Sequence, residues 1–220
     1  MSDIHAMCDQ CGNRYKRIRT HWTTGNCKWP EITDKQFDIC IGTLMGDGSV
    51  TKTGKRTPVL SVYNTNKKYL KLIENKFETF TTGVKDHIGA EEQANNFDGE
   101  VADYNDQYVI RIRHPKISEL YNWYSTGEKK FDTEIEINKT IFKHWYVCDG
   151  HIENDKKIRI TAINEQDRFN KITNMFSDEI PKPSSYTHQK LVWNIEESKE
   201  ILNMLEPIDG FEYKWGKYNE

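Results

Sequence analysis

Two stretches of the chain are mostly apolar and end on the same pair of residues, aspartate and glycine. The first extends from Ile39 to Gly48 and the second from Ile141 to Gly150. The apolar positions predict a helix in each stretch, with Gly48 and Gly150 in the left-handed conformation that often ends a helix. The two Asp-Gly pairs lie about 100 residues apart, which indicates two units of similar size rather than a short repeat.

The segment after the first run alternates between apolar and polar positions. This alternation predicts a β-hairpin over 49–63, because every second residue of a strand faces the same side. Apolar residues at helical spacing predict a helix over 67–80 and another over 116–124. Residues 107–113 predict a strand between them. Its outward face carries three residues: Val109, Arg111 and Arg113.

The segment after the second run repeats this order of elements in shorter form. Strands are predicted over 151–153, 157–163 and 190–195, and helices over 165–176 and 197–205. The same αββαββα order therefore occurs twice, which defines an α+β fold class with two pseudo-symmetric units. The predicted boundaries are an N-terminal segment of residues 1–34, a first unit of 35–130 and a second unit of 131–220.

Charge is unevenly distributed along a chain whose net charge is −3. The stretch from Gly48 to Leu72 contains no acidic residue, whereas residues 86–106 contain many acidic residues and neither Lys nor Arg. Segregation of this kind can give a positive, phosphate-binding face to an acidic protein. The alternative is that both stretches are solvated surface. We expect 86–106 to form a long surface loop.

The two aspartates stand at an unfavourable place in their helices. A helix C-terminus carries partial negative charge, so Asp47 and Asp149 each cost about 0.3–1 kcal/mol there unless a cation is near. Gly42 and Gly46 form a small-residue stripe along which a second helix could approach closely. If the two helices pack along that stripe, two carboxylates and several carbonyls converge, and oxygen ligands of this kind suit Mg²⁺.

The N-terminal segment has metal-ligand spacing. Cys8, Cys11, His21 and Cys27 supply four ligands for a tetrahedral Zn²⁺ site, and a segment this short needs a staple in place of a core. The alternative is a reduced tail that binds nothing. Basic and aromatic residues lie between the ligands, which suggests an additional contact with nucleic acid. The other two cysteines lie within the apolar runs, so the chain has no disulfide framework.

The two runs resemble the paired motifs of the LAGLIDADG homing endonucleases in their monomeric, two-motif form. The stretch Cys40–Gly48 resembles the first motif and Phe142–Gly150 the second. Residues 114–130 are similar to the segment that precedes the second motif in that family, and the resemblance covers about residues 36–215. Lys143, His144 and Cys148 depart from the family pattern. The alternative is two unrelated core helices that end in Asp-Gly turns.

The resemblance implies a saddle of two antiparallel sheets that binds double-stranded DNA as a monomer. It implies a site-specific endonuclease of the homing type, which hydrolyses phosphodiesters with a divalent metal at a long, non-palindromic site. An RNA maturase that binds intron RNA, or a DNA-binding protein without cleavage activity, is the alternative on the same scaffold. Eight basic residues are the expected DNA contacts: Lys52, Lys55, Arg56, Arg111, Arg113, Lys157, Arg159 and Lys190.

The resemblance also implies which residues perform the chemistry. The carboxylates of Asp47 and Asp149 would hold Mg²⁺ or another divalent cation, with help from the carbonyls of Gly46 and Cys148. Two lysines, Lys130 and Lys214, would stabilise charge at the scissile phosphates. The sequence has no signal peptide and no apolar run of membrane-spanning length. We therefore expect no membrane partner and a location in the cytoplasm, nucleoid or organellar matrix.

Overall fold

The computed structural model contains two copies of one arrangement, preceded by a short N-terminal segment. It describes residues 6–25, 27–54, 56–124, 127–154, 156–163 and 165–219, with side chains up to residue 216. The N-terminal segment contains three short elements: β1 (Ala6–Met7), β2 (Arg14–Tyr15) and α1 (Ile18–Thr23).

The first unit begins with the first motif helix. Its elements are α2 (Asp34–Met45), β3 (Gly48–Thr51), β4 (Val59–Asn64), α3 (Lys67–Phe77), β5 (Lys85–Ile88), α4 (Ala90–Phe97), β6 (Gln107–Arg113) and α5 (Ser118–Tyr121). Without α4, which lies between the last two strands, the order is αββαββα. The predicted helix over 116–124 is a short α-helical turn flanked by 3₁₀ turns.

The second unit repeats that order. Its elements are α6 (Lys139–Asp149), β7 (Gly150–Glu153), β8 (Lys157–Thr161), α7 (Phe169–Asn174), β9 (Ser185–Thr187), β10 (Lys190–Val192) and α8 (Ile195–Met204). Each unit has one four-stranded antiparallel sheet, with strand order β3-β4-β6-β5 in the first and β7-β8-β10-β9 in the second. The predicted α+β class and the duplicated order of elements are confirmed.

The strands of each sheet separate apolar from polar residues. Ile110 and Ile112 of β6 are fully buried beneath the helices, whereas Arg113 on the opposite face is exposed. In β8, Ile158 and Ile160 are buried while Lys157 is exposed. Each sheet therefore has one face in the core and one face that presents basic side chains.

The expectation of a loop over 86–106 is wrong. The segment contains most of strand β5, which pairs with β6 at the edge of the first sheet, and helix α4. The carboxylate of Asp106 accepts a hydrogen bond of 3.1 Å from the backbone amide of Ala90, the first residue of that helix. Pairing and capping by residues distant in sequence order this segment, and local composition does not reveal either.

Aromatic packing docks the N-terminal segment on the first unit. Trp22, which is buried, packs against Trp29 and against Phe80 at the end of α3, with ring centroids 5.2 and 6.2 Å apart. Trp29 meets the edge of the His114 ring, whose Nε2 lies 2.9 Å from the carbonyl oxygen of Pro30. Among the described residues, no helix has the length and apolar character needed to cross a membrane.

Candidate functional site

The two motif helices, α2 and α6, can lie side by side because the first motif has glycines, Gly42 and Gly46, where the helices touch. A Cβ atom on Gly42 would lie 2.4 Å from the carbonyl oxygen of Ile141, and one on Gly46 would lie 2.3 Å from Cβ of Cys148. Either distance is far below van der Waals contact. The glycine stripe of α2 is therefore the surface on which α6 packs, as the sequence predicted.

The residues of α6 that depart from the family pattern fit this interface. His144 is buried, and its Nδ1 forms a 2.9 Å hydrogen bond with the hydroxyl of Tyr69 on α3. Burial lowers the pKa of His144 to about 3, with a smaller contribution from Lys143, so the imidazole is neutral at pH 7. Cys148 lies beside Gly46 and 3.8 Å from the same hydroxyl.

The glycines after the two aspartates are required for space rather than for a left-handed backbone. Gly48 and Gly150 begin strands β3 and β7, and neither has a positive φ, so the predicted left-handed cap is wrong at both positions. A Cβ on Gly48 would lie 2.6 Å from the carbonyl oxygen of Thr43, and one on Gly150 would overlap the ring of Tyr146. In each unit the chain turns back tightly against its own helix.

Both aspartates come to the place where the two helices end. Gly46 is the residue directly before Asp47. A Cβ on Gly46 would lie only 3.6 Å from the carboxyl carbon of Asp149, so the two aspartates are close in space. Burial raises the pKa of both carboxyl groups, and the charge of Asp47 adds to the rise at Asp149, whose pKa reaches about 6. The two groups are therefore spatial neighbours that repel each other when ionised.

A lysine caps the end of each motif helix. The ammonium of Lys129 donates hydrogen bonds of 2.8 Å to the carbonyls of Leu44 and Gly46 at the end of α2. The ammonium of Lys214 donates to the carbonyl of Val147, at 2.6 Å, and to that of Gly150, at 2.7 Å. It also lies 3.4 Å from the carbonyl oxygen of Cys148. These cations offset the negative helix ends at which the aspartates stand.

The lysine that contacts the end of α2 is Lys129, whereas the resemblance implied Lys130, the next residue in the sequence. Lys130 is exposed, and its neighbour Lys129 makes the contacts described above. Alternate residues of an extended segment share a face, so the buried Phe131 indicates that Lys129 points inward and Lys130 outward. That alternation was the available signal. Lys214, for which the resemblance implied a role at a scissile phosphate, is buried against the end of α6.

The surroundings of the two carboxylates differ in one hydrogen bond. Asn64, at the end of β4, donates 2.9 Å from Nδ2 to Oδ2 of Asp47, and this bond opposes the rise in its pKa. Gly48 pairs with Val62 in the first sheet, and Gly150 pairs with Ile160 in the second. Asn64 lies two residues after Val62. The residue that lies two after Ile160, and therefore matches Asn64 in the second unit, is the apolar Ala162. Sequence analysis did not identify Asn64.

The donors gathered at this point fit a divalent cation such as Mg²⁺. The side-chain donors are two carboxylates whose burial and mutual repulsion a cation would relieve, and Mg²⁺ prefers oxygen ligands. The carbonyls of Gly46 and Cys148 lie at the same helix ends, and each also faces a lysine ammonium. Burial lowers the pKa of both lysines, whereas the two carboxylates favour their charged forms.

Most of the basic residues predicted to contact DNA lie on the faces of the sheets away from the helices. Arg111 and Arg113 lie on β6, Lys157 and Arg159 on β8 and Lys190 on β10. The guanidinium of Arg159 is paired with Glu153 at 2.7 Å. Two further residues are exposed beside the turn of the first hairpin: Lys52 and Arg56. Lys55 lies outside the described residues.

The four predicted zinc ligands come together in the N-terminal segment. One ligand atom from each of Cys8, Cys11, His21 and Cys27 lies within 4.8 Å of the others. A tetrahedral site with Zn–S bonds of about 2.3 Å needs ligand atoms about 3.8 Å apart, so the cluster is near that geometry. Burial raises the pKa of Cys27 to about 11, and hydrogen bonding with the Cys8 and Cys11 thiols adds to the rise.

The duplicated fold and the two motif helices place the chain in a known protein family. Residues 37–200 match the profile of the LAGLIDADG DNA endonuclease family, and the chain belongs to that family. Its structure is similar to that of the homing endonuclease I-WcaI, solved bound to its DNA recognition sequence, with a TM-score of 0.71 and 15% sequence identity. The similarity covers 90% of this chain and 91% of that one. No curated protein matches the sequence.

Proposed function

We propose that this protein is a site-specific endonuclease that cuts both strands of a long, non-palindromic DNA site with a divalent metal. The observation that carries the proposal is the junction of the motif helices, where two half-buried carboxylates meet and each helix end is capped by a lysine. Membership in the family and the similarity to a DNA-bound homing endonuclease support it. Because the two units differ in sequence, the site need not be symmetric. We further propose that the protein acts as a monomer.

Each part of the chain has a distinct role in this reaction. The basic faces of the sheets bind phosphates and read base edges in the major groove. This binding places one DNA strand beside the end of each motif helix. Asp47 and Asp149 would hold the cation, which when bound would supply an activated water and stabilise charge on the leaving oxygen. Lys129 and Lys214 hold the helix-end carbonyls in place and place positive charge beside the phosphates.

Selection of cleaved sequences from a randomised duplex pool with Mg²⁺ tests this function. We expect a cleaved site to be recovered, and linear product from a plasmid that carries it. Asp47→Asn and Asp149→Asn should each abolish cleavage and retain binding. Asp103→Asn, an exposed change of the same kind, is the matched control and should cleave normally. Retardation of DNA without nicking by the unaltered protein would favour a binding protein, and equal loss of binding and cleavage would contradict the metal assignment.

We also propose that Cys8, Cys11, His21 and Cys27 bind one structural Zn²⁺. The convergence of three sulfur donors and one imidazole supports this proposal, because such a set suits tetrahedral zinc. Purified protein should contain one equivalent of zinc, and Cys27→Ser should lose it, whereas Cys40→Ser in the core should retain it. Protein without zinc, purified in the absence of chelators, would refute the site.

A further inference from the structure

A large cleft separates the N-terminal segment from the first sheet. Its volume is about 1510 Å³, which exceeds the roughly 300–1,000 Å³ of most small-molecule pockets. Residues of the N-terminal segment form one wall. The other wall is formed by the turn of the first hairpin, the end of β6, and the end of α3 with the segment that follows it. The cleft is open, so it has room for an extended polymer rather than a compact ligand.

The cleft lies at the end of the first sheet that is distant from the paired carboxylates. Asp47 directly precedes Gly48, where β3 begins, and β3 leads away from the helix junction to the hairpin turn at Thr53 and Gly54. The last residue of β6, Arg113, pairs with Val59 at that same end of the sheet. The cleft therefore lies at the outer end of the first sheet, where Arg113 is exposed on the face away from the helices.

Arginines from both walls face one another across the cleft. Arg17 and Arg19 come from the N-terminal segment, and Arg56 and Arg113 from the sheet. Arg19 of α1 and Arg113 at the end of β6 both line the cleft, so two positive charges, one from each wall, border the same space. Like charges held together in this way favour an anion between them.

The carboxylates of the cleft do not neutralise these arginines. Glu74 and Glu78 line it as well, but Glu74 is paired with Lys71 at 2.6 Å. Within the part of the chain that the structure describes, no carboxylate forms an ion pair with Arg19 or Arg113. The buried contact between Trp22 and Phe80 fixes the position of Arg19 relative to the sheet. Arg19 and Arg113 are therefore held in place without an ion-pair partner among the described residues.

We propose that this cleft binds the phosphate backbone of the DNA just outside the stretch covered by the two sheets, with Arg19 and Arg113 on one phosphate. The inference rests on the proposed function, since it assigns a further part of the same duplex to the N-terminal segment. Contacts of this kind carry no sequence information but add affinity that depends on salt. The protein would thus contact the DNA that flanks the target site on the side of the first unit, and not the DNA on the opposite side.

Three duplexes test this asymmetry: the selected target alone, the target extended at one end, and the target extended at the other, each extension being about 10 base pairs, one helical turn. Binding is measured by fluorescence anisotropy without Mg²⁺. We expect only one of the two extensions to tighten binding by the unaltered protein. Equal gains from both extensions, or none, would overturn the inference while leaving the proposed function intact. Failure to bind any of the duplexes would overturn both.

Arg19→Gln should reduce, several-fold, the gain in affinity that the favourable extension gives. It should also lower the slope of log affinity against log salt concentration by about 0.9, the value of one phosphate contact. Arg14→Gln is the matched control, because Arg14 is an exposed arginine of the same segment that does not line the cleft. Equal loss with both variants would contradict a specific contact. Zinc content and the midpoint of thermal unfolding report whether a variant remains folded. The difference between the two extended duplexes is measured with the unaltered protein, so that test does not depend on the folding of any variant.

Discussion

The two motif helices end on the same Asp-Gly pair but meet through different side chains. At matched positions before the aspartate, α2 has Gly42 and Gly46, whereas α6 has His144 and Cys148. Because the helices are close enough for a Cβ on either glycine to clash with α6, only one of them can carry larger residues at this interface. In this chain the close approach of the helices therefore depends on unlike residues at matched positions.

The aspartates show the same difference at the reaction site. Asp47 accepts a hydrogen bond from Asn64, whereas Ala162 occupies the corresponding place near Asp149. The pKa of Asp149 rises to about 6, and the Asn64 bond holds down that of Asp47. Two carboxylates that look equivalent in sequence thus differ in how readily they take a proton. Five substitutions test this comparison, beginning with the one of largest expected effect.

Gly42→Ala should lower the free energy of unfolding by about 2–3 kcal/mol, because the new methyl group meets a backbone carbonyl that cannot move aside. The gain in helix propensity, about 1 kcal/mol, does not compensate for the separation of the helices. Urea denaturation measures the change. Gly89→Ala is the control, since its Cβ would have only one ordinary contact. Equal stability of the two variants would show that the helices are not closely packed.

Replacing either buried lysine should destabilise the protein by leaving carbonyls without a donor. Lys129→Met and Lys214→Met should each cost about 1–3 kcal/mol, with the larger loss at Lys214, which is more buried. Lys130→Met is the matched control and should change stability by less than about 0.5 kcal/mol, because its side chain is exposed. A larger loss at Lys130 than at Lys129 would reverse the assignment. Thermal and urea unfolding both measure it.

Asp149→Asn should stabilise the metal-free protein at pH 7 by about 2 kcal/mol. The pKa of Asp149 is about 6 in the folded state and near 3.9 in the unfolded chain. Its contribution to stability is therefore present below pH 4 and is lost as the pH rises through 6. The variant and the unaltered protein should converge near pH 4. Asp103→Asn, whose side chain is exposed, should have no such pH-dependent effect on stability.

Asn64→Ala should have the smallest effect. Without its hydrogen bond the pKa of Asp47 rises further, so the carboxylate stays protonated to a higher pH. The acid limb of the cleavage rate should therefore move to higher pH. Asn95→Ala, at an exposed position of α4, should leave the profile unchanged. A profile that does not move in Asn64→Ala would mean that this bond does not act on the reacting carboxylate.

The sequence pattern predicted features that depend on local periodicity. Alternation identified the bounds of β6 and its outward arginines, and the two apolar runs identified the motif helices and their convergence. Features made by distant residues were missed. Strand β5 forms only through its pairing with β6, and α4 begins where Asp106 caps it. Asn64 reaches Asp47 only because β4 folds back beside β3.

The central claim is that Asp47 and Asp149 are neighbours, and carbon-13 NMR titration of the Asp149 carboxyl group tests it without DNA or metal. In the unaltered protein we expect a pKa of about 6. In Asp47→Asn the pKa should fall, because the repelling charge is gone, while burial still holds it above its ordinary value. An Asp149 pKa that does not change in Asp47→Asn would contradict the claim.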